Sequence, residues 1–316
     1  VLGPLRHVGA LIEYLAARDV RRRSDHATVE QLAWPASRQL PSKLRLGWLG
    51  TAAYRFDYEG HTLLVDPYVT RLSFGQFIGR AHVPPDERAL DRWFGDLSDN
   101  VTILIGHTHF DHALDTPSIA RRTGAPVYGS RSLVQLMRIS GLEHQAIEVE
   151  PYRTYERGPF AFRFVPSKHS KLALGLAVTM GGELTCDHLD QLAPREYRCG
   201  QVWGLHIDVA GTTFYHQGSA DLVDDAIRAD ERGVDFFLCG ISGRRFTDRY
   251  TARILRRLEP RVVVPGHYDN FFRPLDAPMD FSLNVNLTGF ADEVRAVSRD
   301  FDLRTLAIDQ PPPPNF

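Results

Sequence analysis

Three histidines, His107, His109 and His112, fall within six residues in the run Ile105-Gly106-His107-Thr108-His109-Phe110-Asp111-His112. Neutral imidazole is a common metal ligand, and Zn–N bonds of about 2.0–2.1 Å let several rings crowd one ion. Two imidazoles two positions apart can converge on one ion in a tight loop. Asp111 and His112, directly after, can serve a second ion beside the first. Two ions roughly 3.5–4 Å apart can share a bridging hydroxide, the reagent of metal-assisted hydrolysis. A plain polar loop or a nucleic-acid contact would account for histidines, but not for this concentration of ligand types.

Such ligands need a rigid base. Val101–Ile105 is a short apolar run that reads as a buried strand, and Gly106 frees the backbone where the chain leaves it. Leu44–Trp48, Ala53–Tyr58 and His61–Val65 read as earlier strands, with a turn at Glu59-Gly60. Residues 70–98 read as a long connection bordering a site. Thr116–Thr123 and Ser132–Ile139 read as helices, and Val127-Tyr128 as a strand between them. Phe160–Val165 alternates into a strand ending at Pro166, and Leu174–Met180 suggests another. Val202–Val209 and Thr212–His216 pair across Ala210-Gly211 as a hairpin. Leu222–Ala229 reads as helical, Phe236–Cys239 as a buried strand, Thr251–Leu258 as a helix and Val262–Val264 as a last core strand. Strand groups in both halves with helices between them suit two sheets packed face to face with helices outside.

Three regions follow. Residues 1–43 form an N-terminal helical arm: Leu5, Val8, Leu11, Ile12 and Leu15 recur at helical spacing. Thr28-Val29-Glu30-Gln31 resembles a capping box for a second short helix that Pro35 ends. One apolar stripe is normal for any packed helix, so this arm is expected to pack on the body. Residues 44–308 form the body, and 309–316 a Pro-rich tail without regular structure.

Hydrophobic residues make up 43% of the 316, enough for a real core, and the formal net charge is -2. Duplex-binding proteins carry a basic surplus, so no nucleic acid is expected as partner. No apolar run approaches the ~20 residues that span a bilayer. Cys186, Cys199 and Cys239 are too few, and odd in number, for a disulfide framework, which points to a reducing cytoplasm. A small-molecule substrate is expected as partner, with a homo-oligomer as the alternative to a monomer.

His-x-His-x-Asp-His after an apolar strand resembles the signature of the metallo-β-lactamase superfamily, and the rest of the chain follows in order over about residues 44–270. The resemblance implies an α/β (α+β) fold, an αββα four-layer sandwich of two mixed β-sheets flanked by helices. It implies that His107, His109 and His169 hold one metal, and that Asp111, His112 and His267 hold a second. The two divalent ions would be zinc, with manganese or iron as alternatives. Asp66, ending its strand, would support the ligands from behind, and Asp111 would exchange protons during turnover. A metal-activated hydroxide would act on an ester, lactone or phosphodiester. Gly266-His267-Tyr268-Asp269 and His109-Phe110-Asp111-His112-Ala113-Leu114-Asp115 are similar to the branch with L-ascorbate-6-phosphate lactonase and N-acyl-phosphatidylethanolamine phospholipase D. The superfamily usually places a metal-bridging Asp right after a strand-ending Gly. Here Gly218 is followed by Ser219, and Asp221 is the expected substitute, since carboxylates bind such metals better than hydroxyls do.

Weaker candidates surround this set. His216 either faces the site or caps the sheet, and it is carried with Arg244 as a substrate contact. The turn Gly240-Ile241-Ser242-Gly243-Arg244-Arg245 could hold an anion or be an ordinary turn. Cys186, His188 and Cys199 lack a fourth ligand for structural zinc, so residues 181–200 read as a lid or surface loop. Tyr68, Arg71 and Phe74 could line the other side of the mouth. Two rival functions stand beside the hydrolase. One is a metal-dependent oxidoreductase on the same fold, which would usually carry Glu where His109 stands. The other is a non-catalytic metal-binding or scaffold protein, motivated by Ser219.

Overall fold

A computed structural model describes residues 16–34, 40–171, 178–283 and 285–311. The apolar repeat from Leu5 to Leu15, Pro35, most of the strand expected over Leu174–Met180, and Pro312–Pro314 lie outside these residues. Helix α1 (Arg18–Gln31) comes first. It runs straight through Thr28, so no helix starts there. The Thr28 hydroxyl instead bonds back to the Ser24 carbonyl at 3.0 Å, which satisfies it inside a continuous helix.

The first sheet has six strands in the order of the chain: β1 (Arg45–Trp48), β2 (Tyr54–Tyr58), β3 (His61–Val65), β4 (Val101–Leu104), β5 (Val127–Gly129) and β6 (Ala146–Glu148). The β1–β3 pairs are antiparallel, and β3 to β6 run parallel. The connection over 70–98 is not an open loop. It contains α2 (Phe74–Ile78), closed by a Ser73/Gln76 capping box, and α3 (Glu87–Phe94). A single turn α4 (Phe110–Ala113) precedes α5 (Thr116–Thr123), and α6 (Arg131–Ile139) links β5 to β6.

The second sheet has seven strands: β7 (Tyr155–Arg157), β8 (Phe160–Ser167), β9 (Val202–Val209), β10 (Thr212–Gln217), β11 (Phe236–Gly240), β12 (Val262–Gly266) and β13 (Asp302–Leu303). It repeats the logic of the first, antiparallel from β7 to β10 and parallel from β10 to β13. Pro166 lies within β8 and not at its end; β7 has already stopped there, so the missing N–H leaves no ladder gap on that side. The helix expected over Leu222–Ala229 is two 3-10 turns, Asp224–Ala226 and Ala229–Glu231. Helices α7 (Tyr250–Leu258) and α8 (Leu287–Val297) complete the chain.

Alternation along the strands builds the layers. Leu63, Val65 and Leu104 face the second sheet and join Phe162, Phe164, Leu205 and Phe214 in the inter-sheet core. Leu64, Ile103 and Ile105 face outward and pack on Leu90, Ile119, Leu133 and Leu136 of α3, α5 and α6. Beyond the second sheet, α7 and α8 cover Leu238 and Val264 with Ile254, Leu255, Phe290 and Val294. The result is helix, sheet, sheet, helix, as expected. Helix α1 packs on α8, where Asp25 accepts from the Thr288 N–H at 2.8 Å. No helix among the described residues is long and apolar enough to cross a membrane.

Candidate metal centre

Five segments reach the centre, and each leaves the C-terminal end of a strand. Asp66 follows β3, His107 to His112 follow β4, His169 follows β8, Ser219 follows β10 and His267 follows β12. Parallel neighbours end at one edge, so their loops meet there, as in open α/β sheets. The backbone is bent to fit: Asp66 and His267 have φ of 46° and 55°, uncommon for residues with a Cβ. Cross-ties hold them there. The Asp66 N–H donates to Leu104 O at 2.9 Å and the His267 N–H to Thr51 O at 2.7 Å.

Two groups of ligand atoms result, one from His107, His109 and His169 and one from Asp111, His112 and His267; within each, the atoms lie within 4.8 Å of one another. His107 Nε2 and His109 Nδ1 are 3.1 Å apart. His169 Nδ1–H donates to Ser170 O at 2.8 Å, which leaves its Nε2 lone pair free for the centre. In the second group, His267 Nε2 lies 3.3 Å from Asp111 Oδ2 and His112 Nε2 3.8 Å from it. The rings of His107 and His112 are 3.8 Å apart, so the groups adjoin. Asp66 stands behind them. It accepts from the Gly106 N–H at 2.7 Å and from His112 Nδ1–H at 2.8 Å, fixing both the loop and the ring.

Burial sets the charges. It lowers the His107 pKa well below its ordinary value, with His112 and His109 adding to the effect. It lowers His109 to about 4 and His169 to about 3, so these rings are neutral near pH 7 with lone pairs available. Burial would raise Asp111, but His112, His267 and His109 outweigh it and hold the carboxyl well below the usual range. Burial opposes charging His112, and the carboxylates of Asp66 and Asp111 override it, raising its pKa.

A cavity of about 100 Å³ opens onto both groups. Its floor is His109, Asp111, His169 and His267 with Gly218, Ser219 and Ser242, and its wall is Phe77, Phe110, Met180, Phe271 and Phe272. Gly218 has to be glycine: a Cβ there would sit 2.9 Å from Asp66 Oδ2 and 3.2 Å from His112 Cε1.

Several expected contributors lie elsewhere. Asp221 does not reach back: its Oδ1 accepts from the Leu222 N–H at 2.8 Å and faces Arg253 at 4.0 Å. Gln217 explains this, because its amide donates to the Ser219 and Asp221 carbonyls at 3.0 and 3.1 Å and fixes the turn. Arg244 is buried away from the cavity, where it donates to Asn286 O at 2.8 Å and, more closely, to Val285 O, and pairs with Glu293. Its turn is a brace for α8 and holds no anion through Arg244; only Ser242 of that turn lines the cavity. His216 packs under the floor with Nε2 on Ala52 O at 3.0 Å and its ring against Tyr54, and it does not line the cavity.

Tyr68 is buried with its hydroxyl on the Leu72 N–H, and Arg71 pairs with Asp269 at 2.8 Å, so both are internal braces. Phe74 is exposed and meets the wall through Phe272, ring centroids 5.4 Å apart. Residues 181–200 pack against the ligand loop: the Thr108 N–H donates to Cys199 O at 3.0 Å, and Leu184, Leu192 and Tyr197 join the outer core. Cys186, His188 and Cys199 do not come together as a metal group among the described residues.

The sequence reading missed the aromatic wall. Phe271-Phe272, four residues after His267, is the signal that could have found it. It also assigned no role to Asp115, which accepts from the Val69 and Thr70 N–H groups at 2.6 and 2.9 Å and pins the loop after Asp66.

Comparison with known proteins gives the family and the fold. Curated relatives include a UPF0173 metal-dependent hydrolase of Carboxydothermus hydrogenoformans, 29% identical over 72% of this chain and 86% of the relative. Another from Methanopyrus kandleri is 26% identical over 79% of this chain and 95% of its own length. Among solved structures, a novel metallo hydrolase of Ignicoccus hospitalis superposes with a TM-score of 0.52 at 18% identity, over 85% of this chain and 95% of that one. CmlA, a diiron beta-hydroxylase of Streptomyces venezuelae, gives 0.53 at 18%, over 84% of this chain and 53% of that one. These structural likenesses speak for the fold alone. The sequence model described as the beta-lactamase superfamily domain matches residues 61–268, most of the body and every ligand candidate above, and the chain belongs to that family.

Proposed function

We propose that the chain is a metal-dependent hydrolase that acts on an ester, lactone or phosphodiester of a small molecule. One observation carries the reading: six side chains of metal-ligand type, five of them buried and His169 partly so, converge as two adjoining groups where strands of both sheets end. The donor set fits divalent zinc, with manganese or iron as alternatives. The imidazoles of His107, His109 and His169 are held neutral, the Asp111 carboxylate is held ionised, and the His112 ring is oriented from behind by Asp66. His107, His109 and His169 would hold one ion, and Asp111, His112 and His267 the other. When bound, such ions polarise a substrate oxygen and supply a nucleophile from water at neutral pH.

The chain's own residues do the rest. Asp66 and the Ser170 carbonyl fix the tautomers of His112 and His169. Asp111 is held ionised between two imidazoles, with Oδ2 turned to both rings. Phe77, Phe110, Phe271 and Phe272 exclude water from one side and give an apolar leaving group a surface. Relatives named metal-dependent hydrolases support this reading. Within the superfamily, the runs around His109 and His267 favour the lactonase and phospholipase D-like branch. Three unpaired cysteines accord with a reducing cytoplasm.

The test is metal content per chain after purification without added metal, followed by a panel of esters, lactones and phosphodiesters. About two ions with turnover of one class is the expected outcome. Redox-active iron without hydrolysis would favour an oxidoreductase. No metal, even after zinc or manganese is added, would overturn the proposal and leave a scaffold.

A further inference from the structure

We propose that Ser219 is a substrate-gripping residue whose hydroxyl donates a hydrogen bond to an anionic phosphoryl oxygen held between the two ligand groups. The inference rests on the metal-dependent reading above and deepens it to a substrate class.

The position of Ser219 Oγ is fixed. The Ser170 N–H donates to it at 3.1 Å, and the Gln217 amide holds the Ser219 carbonyl at 3.0 Å. Gln217 is itself buried and also tied to the Ser167 hydroxyl at 2.8 Å, so the turn has little freedom. Ser219 is 4% exposed and lines the same cavity as His169 of one group and Asp111 and His267 of the other. A hydroxyl has one proton to give. With Ser170 N–H already on its oxygen, that proton has no acceptor among the described residues, and the cavity offers space for one. A buried donor kept without an acceptor is a group waiting for a ligand.

Charge decides what kind of ligand. Among the described residues that line the cavity, Asp111 is the one carboxylate, and none is Lys or Arg. Asp221 adds nothing, since its carboxylate is turned to Leu222 and Arg253. Two divalent ions against one lining carboxylate leave a positive excess. An anion relieves it, and a neutral donor at Ser219 grips an anion where a carboxylate would repel it. The cavity of about 100 Å³ has room for roughly three waters, hence for the reacting group alone. A phosphoryl group offers enough oxygens to meet both ligand groups and Ser219 at once. Its ester substituent would lie along Phe271 and Phe272.

The experiment is calorimetric titration of inorganic phosphate into the metal-containing protein, with metal quantified in each sample, for wild type, Ser219→Ala, Ser219→Thr and Ser219→Asp. Ser219→Ala is expected to keep its metal and bind phosphate about tenfold more weakly, the scale of one hydrogen bond to a charged group. Ser219→Thr keeps the hydroxyl and most of the affinity. Ser219→Asp keeps metal and binds phosphate more weakly than Ser219→Ala. Wild-type affinity in Ser219→Ala would overturn the proposal alone. So would loss of metal in that variant while Ser219→Thr keeps it, because the hydroxyl would then be a ligand. A wild type that holds metal but binds no phosphate would overturn it too. A wild type that takes up no metal would bring down the hydrolase reading and this inference with it.

Discussion

At the scale of single residues, the centre depends on groups that never touch the cavity. Asp66 is the clearest. One carboxylate oxygen holds the ligand loop at Gly106 and the other orients His112. In Asp66→Asn the side chain keeps its size and tolerates the left-handed backbone. Its amide, however, has one acceptor oxygen where the carboxylate has two, so it can accept from the Gly106 N–H or from His112 Nδ1–H but meets the other with a donor. Metal affinity should fall by about 10–100-fold, as for other lost partners of ligating histidines. Competition with a chromogenic chelator would measure it, and an unchanged affinity would mean that His112 is not a ligand or is oriented by something else. Gly218→Ala should act by crowding: the added carbon meets both Asp66 and His112. It should lose metal while retaining the far-ultraviolet dichroism of the wild type.

At the scale of elements, the centre is a product of parallel strands ending together. Helices α7 and α8 contribute no residue to the cavity, so their part in stability can be separated from the chemistry. Leu255 of α7 is fully buried against the second sheet, on the side away from the ligands. Leu255→Ala should destabilise by about 2–5 kcal/mol, from lost burial and a residual cavity. Urea denaturation of wild type and mutant would report that loss, and metal content should stay equal. A mutant that lost metal in its folded state would show that α7 is coupled to the centre. The close approach of β10 and β11 is a different kind of constraint. A Cβ at Gly240 would lie 2.6 Å from Gly218 O, so that strand end admits no side chain without moving Ser219.

At the scale of the whole molecule, the unloaded centre is a source of pH-dependent instability. Burial lowers His107, His109, His169 and His216 below the ordinary imidazole value, the last to about 4. Below about pH 6.5 the unfolded chain takes up protons on these groups and the folded chain does not, so stability falls as pH falls toward 4. The ionised Asp111 adds loss in the same direction below its unfolded value. Asp115, pushed up to about 6 by burial, works the other way, as do the raised Asp221 and, above about pH 6.5, the raised His112. Four lowered imidazoles outweigh them. The melting temperature of chelator-treated protein should therefore drop by several degrees between pH 7 and pH 4.5. A flat or rising profile would contradict the buried, neutral imidazoles. Zinc added at pH 7 to a hundredfold excess over its dissociation constant should stabilise the folded state by about 2.7 kcal/mol, and a chelator should reverse this.

Sequence alone named the candidate ligand types and ten of the thirteen described strands; β6, β7 and β13 are only two or three residues long and offer no periodic run to read. Local facts carry both: His-x-His-x-Asp-His can be read as chemistry at sight, and alternating or continuous apolar runs mark strands whatever surrounds them. It also determined that Ser219 stands where a carboxylate was expected, which is a matter of identity. What it could not determine was where polar side chains point. Asp221 is two residues from Ser219, yet Gln217 and Arg253 turn it away, and neither influence is visible in spacing. Arg244 looked available to an anion, yet the carbonyls of Val285 and Asn286, some forty residues on, use its donors. Leu222–Ala229 lost its helix because side-chain period is a weak prior that packing overrides. The aromatic wall joins Phe77, Phe110, Phe271 and Phe272 from three separated segments, and only the meeting of two sheets makes them one surface. Ligand identity is a property of residues. A cavity is a property of their arrangement, set by long-range contacts that no local window contains.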